Sequence, residues 1–352
     1  MTQQTVKHPM MMLDVQMSAE LKAAPEAVKR QEQILPPNLT PLVARLRHKP
    51  PQVVVTCARG SSAHAATFGK HLIERYLGIP VAAAAPNIAS VYRKRLCLAD
   101  QLFLAISQSG MSGDLIEQAA AARACGAVTA CITNDTGSEL AQNCEFILPM
   151  AAGPELSVPA TKTFIASLSA LAHLTALWAE DEAFAAALQR LPERLAASCK
   201  LDWSHLVEHI SGAESLVTIG RGPTLAIARE AALKLKETSN LHAEAFSGAE
   251  FQHGPISLVS SGYPILMFMP TDAASTSMRQ LADDLRKMEA AVFTTDMDDT
   301  TPNRLAALPP DHPETDPICL IQSFYAMVVR LSAARGTDAD QPRHLQKITH
   351  TR

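Results

Sequence analysis

The sequence contains no pair of cysteines in a CxxC spacing and has few aromatic residues. Its seven cysteines are scattered along 352 residues, which argues against a disulfide framework or a zinc site and indicates a reducing compartment. Aromatic residues make up 5% of the chain, which favours closely packed helices over an aromatic-rich β-sandwich. The net charge of −4 gives no general attraction to nucleic acid or to an anionic membrane.

Long apolar runs are missing as well. No stretch approaches 18 uncharged apolar residues, so we expect no transmembrane span. The first twenty residues lack the apolar segment of a signal peptide, so we expect a cytoplasmic protein. The apolar share of 47% is nevertheless ample for two buried cores, and a chain of this length suits two domains.

The main positive feature is a repeat. Three short apolar runs in the first half recur in the second half 163 or 164 residues later. The runs are 53–56, 102–106 and 128–132, and then 216–219, 265–269 and 292–295. Short apolar runs that alternate with helix-like stretches, such as 112–124 and 278–288, are typical of parallel strands buried on both faces. We therefore predict two doubly wound, three-layer α/β domains related by duplication.

The domain boundaries are placed by the same pattern. We predict an N-terminal segment at 1–35, a first domain at 36–183, a second domain at 200–342 and a polar tail at 343–352. The stretch from about Phe184 to Lys200 is expected to join the two domains.

A serine-rich loop follows the second run of the first domain. It contains Ser107, Gln108, Ser109 and Ser112, and it opens a predicted helix. Hydroxyls and free backbone N–H groups at a helix N-terminus bind phosphate, although a serine-rich helix cap is the alternative. Since no Lys or Arg lies inside the loop, we expect hydroxyls and dipoles to hold the anion.

Two other positions in the sequence indicate where this anion site lies. Ser62 follows the first run and adds a hydroxyl at the same sheet edge, because ligands of such folds gather beyond the carboxyl ends of the strands. In the second domain, the loop that corresponds to the serine-rich loop follows the run 265–269 and carries Asp272, whose charge repels phosphate. We therefore expect only the first domain to bind phosphate.

Titratable residues are concentrated in the second domain. Lys234 and Glu237 lie three residues apart in a strongly helical run and project from one face. The segment 242–255 then carries two histidines and two carboxylates, in the patterns HxE and ExxH, on what we predict to be a loop. A surface ion pair and a metal site are the alternatives here, the second without any supporting pattern around it.

In these residues the chain resembles the isomerase half of glucosamine-6-phosphate synthases, which is a pair of sugar-isomerase (SIS) domains. Six motifs in order carry the resemblance: 107–110, 159–164, 232–237, 242–245, 253–255 and 340–343. Among stand-alone proteins with two SIS domains, it is similar to the second type of glucosamine-6-phosphate deaminase.

The resemblance implies a role for each matching position. Glu237 is expected to move a proton between C1 and C2 of the open-chain sugar, with Lys234 assisting. His253 is expected to help open the sugar ring from the neighbouring subunit of a homodimer. Lys347, in the tail that covers the site, is expected to form a Schiff base with a ketose phosphate. The phosphate and sugar contacts are expected from Ser62, Ser107, Gln108, Ser109, Ser112 and Ala160.

Departures from the synthase pattern bear on the reaction. Residue 2 is Thr2 where the synthases carry a catalytic cysteine, so we expect no glutaminase domain. Ala160 stands in place of a serine and Gln346 in place of a small residue, which leaves the exact sugar open. The expected activity is hydrolytic: glucosamine 6-phosphate and water give fructose 6-phosphate and ammonia. A fructosamine-6-phosphate deglycase and a non-catalytic phosphosugar sensor are the alternatives, and no metal or cofactor is expected.

Overall fold

A computed structural model describes residues 15–347, which form two parallel sheets flanked by helices. The first sheet has five strands in the order β2-β1-β3-β4-β5, and the second has four in the order β7-β6-β8-β9. The strands are β1 (Val54–Ala58), β2 (Val81–Ala83), β3 (Leu102–Ser107), β4 (Val128–Thr133), β5 (Phe146–Pro149), β6 (Ser215–Gly220), β7 (His242–Ser247), β8 (Pro264–Met267) and β9 (Ala291–Thr294).

Helices cover both faces of each sheet and precede the first strand. They are α1 (Gln16–Lys22), α2 (Ala24–Ile34), α3 (Pro36–His48), α4 (Gly60–Leu77), α5 (Asn87–Ser90), α6 (Gly113–Ala124), α7 (Glu139–Gln142), α8 (Lys162–Ala179), α9 (Glu182–Ser198), α10 (Ser204–Ile210), α11 (Thr224–Ser239), α12 (Gly248–Phe251), α13 (Ser275–Lys287) and α14 (Asp316–Ala334), with a 3-10 turn at Pro255–Leu258.

The structure confirms the predicted duplicated α/β fold. All six apolar runs are strands, and every residue of β3 and β4 is buried, as expected for parallel strands covered on both faces. Both predicted crossover helices are present as α6 and α13. The stretch expected to join the domains is the helix α9.

One local prediction is wrong. The segment 242–255 is not a loop throughout, because it forms the edge strand β7 and then the short helix α12. His242 and Glu244 of β7 are exposed whereas Ala243 between them is buried. Such alternation is typical of a strand with one solvent-exposed face. The polar side chains on that face are the reason why the sequence predicted a loop.

The carboxyl edge of the first sheet is the natural ligand position. Strand β1 lies between β2 and β3, so the chain leaves β1 and β3 on opposite sides of a topological switch point. Ala58 of β1 pairs with Ile106 of β3, and the loops that open α4 and α6 therefore start side by side. Helix α4 also packs against α11 of the second domain, which brings the two domains together at this edge.

The N-terminal and C-terminal helices complete the core. Gln31 of α2 is fully buried, and its amide donates to the carbonyls of Pro149 and Ala166. Within residues 15–347, α14 is the one helix long and apolar enough to cross a membrane, but 78% of its apolar window is buried inside the protein. Its packing against α11 and α9 is that of a core helix.

Candidate active site

In the serine-rich loop at the end of β3, side-chain hydroxyls accept hydrogen bonds from the backbone of the same loop. The N–H of Gly110 donates to Ser107 Oγ at 3.1 Å, and the N–H of Met111 donates to Ser109 Oγ at 3.3 Å. Gly110 has φ +63°, and a Cβ at this position would collide with the side chain of Ser138, so the tight loop requires glycine. Ser112 precedes α6, but its hydroxyl does not cap that helix. The loop has the form expected of an anion cradle.

The start of α4 contributes a second group of hydroxyls. Ser61 Oγ donates to Glu230 Oε1 at 3.0 Å and accepts from Lys234 Nζ at 3.1 Å. Ser62, the next residue, is half-buried at the same sheet edge as the serine-rich loop. The turn after β1 therefore links the predicted phosphate site to the charged residues of α11.

A buried ammonium lies between two carboxylates of α11. Lys234 Nζ is 3.2 Å from Glu230 Oε1 and 2.6 Å from Glu237 Oε2, and the Lys234 side chain is only 1% exposed. Burial alone would lower the pKa of Lys234, but the two carboxylates outweigh burial and raise this pKa above its usual value. Lys234 therefore stays an ammonium, which suits it to fix and polarise its neighbours and does not suit it to act as a nucleophile.

The two carboxylates differ in their access to solvent. Burial would raise the pKa of Glu230, but Lys234, with help from His64 and Ser61, lowers it, and the Glu230 side chain is fully buried. The Glu237 side chain is 19% exposed. Because only Glu237 reaches the opening of the site, it is the carboxylate of this pair that can meet a ligand.

Two further partners of Glu230 were not predicted. His64 Nδ1 lies 2.9 Å from Glu230 Oε2, and the hydroxyl of Tyr325 donates to Glu230 Oε1 at 3.1 Å. The four-residue spacing of Glu230 and Lys234 is a signal that the sequence did offer. His64 and Tyr325 come from α4 and α14, and no spacing in the sequence connects them with α11.

The tail lysine is anchored near the same buried tyrosine. Lys347 Nζ donates to the carbonyl of Ser157 at 2.7 Å and lies 3.2 Å from Glu155 Oε2. Burial raises the pKa of Tyr325 well above its usual value, and Glu230, Glu155 and Glu237 add to this effect. Of these three carboxylates, Glu230 is the one that the Tyr325 hydroxyl contacts directly, at 3.1 Å.

The loop before α8 is shaped by Glu155. This fully buried carboxylate accepts from the N–H of Thr161 at 3.0 Å and from the hydroxyl of Thr163 at 2.6 Å. Ala160 belongs to this loop and is half-buried. Glu155 was not predicted, although it precedes the quoted motif 159–164 by only four residues.

Within residues 15–347, His253 makes no polar contact with Lys234 or Glu237. It is exposed, just after α12, and no hydrogen bond or ion pair within residues 15–347 joins its imidazole to Glu237 or Lys234. His242, in β7, is exposed as well. Between residues 15 and 347, no group of three or more His, Cys, Asp or Glu side chains is placed to hold a metal ion.

A cavity of about 300 Å³ lies elsewhere, at the carboxyl edge of the second sheet. Its charged side chains are engaged with one another: Arg194 lies 2.9 Å from Asp316, and Arg279 lies 2.6 Å from Asp296. Asp272, nearby in sequence, pairs with Arg75 of α4 at 2.6 Å. None of the site residues expected from the sequence is among the residues that line this cavity.

Comparison with known proteins identifies the family. A family profile described as the SIS domain matches residues 49–177 and again 209–334. The chain belongs to the SIS domain family. The two matches cover the two sheets in turn, which agrees with a duplicated SIS fold.

Relatives of this SIS protein include the glutamine–fructose-6-phosphate aminotransferases (isomerizing) of Symbiobacterium thermophilum and Zymomonas mobilis. The first is 34% identical over 314 residues and the second 32% identical over 318 residues. Each match covers 84% of this chain but only 51% of the relative. The chain thus spans about half the length of the curated relatives it matches.

Solved structures show the same SIS architecture over nearly the whole chain. A Silicibacter pomeroyi protein with a provisional phosphosugar isomerase name is 44% identical with a TM-score of 0.89, covering 93% of this chain and 100% of that one. The C-terminal domain of a glucosamine-fructose-6-phosphate aminotransferase from Francisella tularensis is 25% identical with a TM-score of 0.84, covering 93% and 98%. A glucosamine-6-phosphate deaminase of Thermotoga maritima, 21% identical with a TM-score of 0.72 and covering 94% and 100%, shares the fold.

Proposed function

We propose that this protein converts glucosamine 6-phosphate and water to fructose 6-phosphate and ammonia. The observation that carries the proposal is the buried Lys234, which holds the partly exposed Glu237 at 2.6 Å beside the serine-lined edge of the first sheet. A carboxylate fixed in this way is suited to take and return a carbon-bound proton. The similarity to aminotransferases and to a deaminase supports an amino-sugar phosphate as the substrate.

The proposed reaction starts from the open-chain sugar, with its phosphate in the loop of Ser107, Gln108, Ser109 and Ser112 and with Ser62 and the Ala160 loop near its hydroxyls. Glu237 takes the proton from C2 and returns it to C1, while a proton passes from the C2 nitrogen to O1, so the aldehyde becomes a primary alcohol and the C2 amine becomes an imine. Water adds to this imine at C2 and ammonia leaves, so the ketone of fructose 6-phosphate remains. Lys234 supports Glu237, and the tail with Lys347 excludes water while the proton moves.

Ring opening requires a group that exchanges a proton with the ring oxygen, and within residues 15–347 His253 makes no hydrogen bond or ion pair with Glu237 or Lys234. We assign this step to His253 of a second copy in a homodimer, since an imidazole exchanges protons near neutral pH and His253 is exposed. Sedimentation at twice the monomer mass would support this assembly, and a stable monomer with full activity would contradict it. The proposed setting is the cytoplasm.

The direct test incubates the purified protein with glucosamine 6-phosphate and measures ammonia and fructose 6-phosphate together. We expect equimolar release of both without added glutamine. Release of neither product would contradict the deaminase. Turnover of fructosamine 6-phosphates, for which Ala160 leaves more room than serine, would instead indicate a deglycase, and binding of fructose 6-phosphate without any turnover would indicate a sensor.

Borohydride trapping should identify Lys347 as the group that meets the carbonyl. A lysine amine attacks a ketone with loss of water, and reduction then makes the bond permanent. Treatment with fructose 6-phosphate and borohydride should therefore label Lys347 with the mass of the sugar phosphate minus one oxygen. Lys347→Met should abolish the label, whereas Lys287→Met on the exposed face of α13 should keep it. Labelling of another lysine in the native protein would exclude this role for Lys347.

A further inference from the structure

The carboxyl edge of the first sheet carries a guanidinium that the serine-rich loop itself lacks. Arg59 follows β1 directly and occupies the N-cap position of α4, with extended backbone. Its Nε donates to Asp114 Oδ2 at 2.7 Å, and its Nη2 bonds the same oxygen. Asp114 lies in the first turn of α6, two residues after Ser112. Arg59 therefore bridges the two helix starts that carry Ser62 and Ser112.

The burial of this pair is asymmetric. The Asp114 side chain is fully buried, whereas that of Arg59 is 43% exposed. Nε and Nη2 are turned to Asp114, and no bond of Nη1 to any residue between 15 and 347 is present. A guanidinium with one edge fixed on a buried carboxylate is pre-oriented, so its remaining N–H donors lose little freedom when an anion binds.

We propose that Arg59 is the cationic phosphate-binding residue of this site, held in position by Asp114. The inference rests on the proposed phosphosugar site and differs from the expectation that hydroxyls and dipoles alone hold the phosphate. An arginine makes charge-assisted bonds to phosphate oxygens in a fork that lysine cannot reproduce. Strands β1 and β3 thus each supply part of the cradle: Arg59 and Ser62 from one, the serine-rich loop from the other.

The test measures binding of inorganic phosphate and of fructose 6-phosphate by calorimetry, together with the thermal midpoint of each variant. We expect Arg59→Gln to weaken both ligands by about 10- to 100-fold, the usual effect of losing a hydrogen bond to a charged group. Arg59→Lys keeps the charge and the partner of Asp114, and should give an intermediate loss. Arg93→Gln is the matched control, because Arg93 also pairs with a carboxylate of α6, Glu117, but on an exposed face.

A purely structural role gives a different pattern. If Arg59→Lys lowers the thermal midpoint but leaves both dissociation constants unchanged, the pair only ties α4 to α6 and the inference is wrong. If Arg59→Gln does not fold, the lysine variant decides. Arg59-dependent binding without ammonia release would overturn the deaminase alone, whereas ammonia release with unchanged binding in Arg59→Lys would overturn this inference alone. Absence of binding of either ligand to the native protein would overturn both.

Discussion

Glu237→Gln should lower kcat on glucosamine 6-phosphate by about 10²- to 10⁴-fold, the range that one positioned acid–base group contributes. The amide has nearly the shape of the carboxylate but cannot accept the proton from C2. Lys234 keeps its contact with the buried Glu230 in this variant, so the fold and the binding of fructose 6-phosphate should be retained. Steady-state kinetics and calorimetry on the same preparation measure both effects.

Glu244→Gln provides the control for this loss. Glu244 is an exposed carboxylate on β7 of the same domain, and its replacement removes the same charge away from the buried network. We expect near-native turnover from it. Turnover by Glu237→Gln within a few-fold of the native rate would assign the base to another residue, and loss of binding as well as turnover would indicate that Glu237 mainly holds the site together.

The fold was readable from the sequence because parallel strands leave a strong local signal. Both β3 and β4 are fully buried and mostly apolar, and each is followed by a helix with serine at its N-cap. Corresponding apolar runs of the two halves are separated by a nearly constant number of residues. The pattern in each half therefore supported the strand prediction in the other. Strand β7 was not predicted from the sequence, because it lies at the edge of its sheet and mixes polar with apolar residues over only six positions.

The site was less readable than the fold. Lys234 and Glu237 lie on one helix, and their spacing alone brings them to one face. Ser61, which contacts Lys234, lies 173 residues from it in the chain, and Tyr325, which contacts Glu230, lies 95 residues from that carboxylate. Only the packing of α4 and α14 against α11 brings them together, and no local pattern encodes that packing.

The network also explains why charged residues lie so deep in the protein. A carboxylate and an ammonium removed from water are tolerated only if each is paired and hydrogen-bonded. Glu230 meets this condition through Lys234, Ser61, His64 and Tyr325. We infer that these contacts hold Lys234 in one geometry, and that Lys234 in turn holds Glu237 at the edge of the site.

Lys234→Met should therefore destabilise the protein strongly, by about 3–5 kcal/mol, because it leaves Glu230 buried without its main cation. Urea unfolding monitored by circular dichroism measures this loss. The double variant Lys234→Met, Glu230→Gln removes both charges and should recover a large part of it. Lys287→Met, which breaks an exposed pair with Asp284, is the control and should leave the unfolding midpoint unchanged.

The pH dependence of this loss has a definite sign. In the native protein the pKa of Glu230 is lowered from 4.5, so the group stabilises the fold above this pH and the contribution is lost as the pH falls below it. In Lys234→Met, the lysine no longer offsets the effect of burial on Glu230. The pKa of Glu230 should therefore rise above its value in the unfolded chain. The variant should then be least destabilised well below pH 4.5, where the native protein also loses this contribution, and progressively more so as the pH rises through 4.5 towards pH 8. A loss independent of pH, or one that the double variant does not reduce, would mean that packing around the lysine stem, and not the charge of Glu230, accounts for the effect.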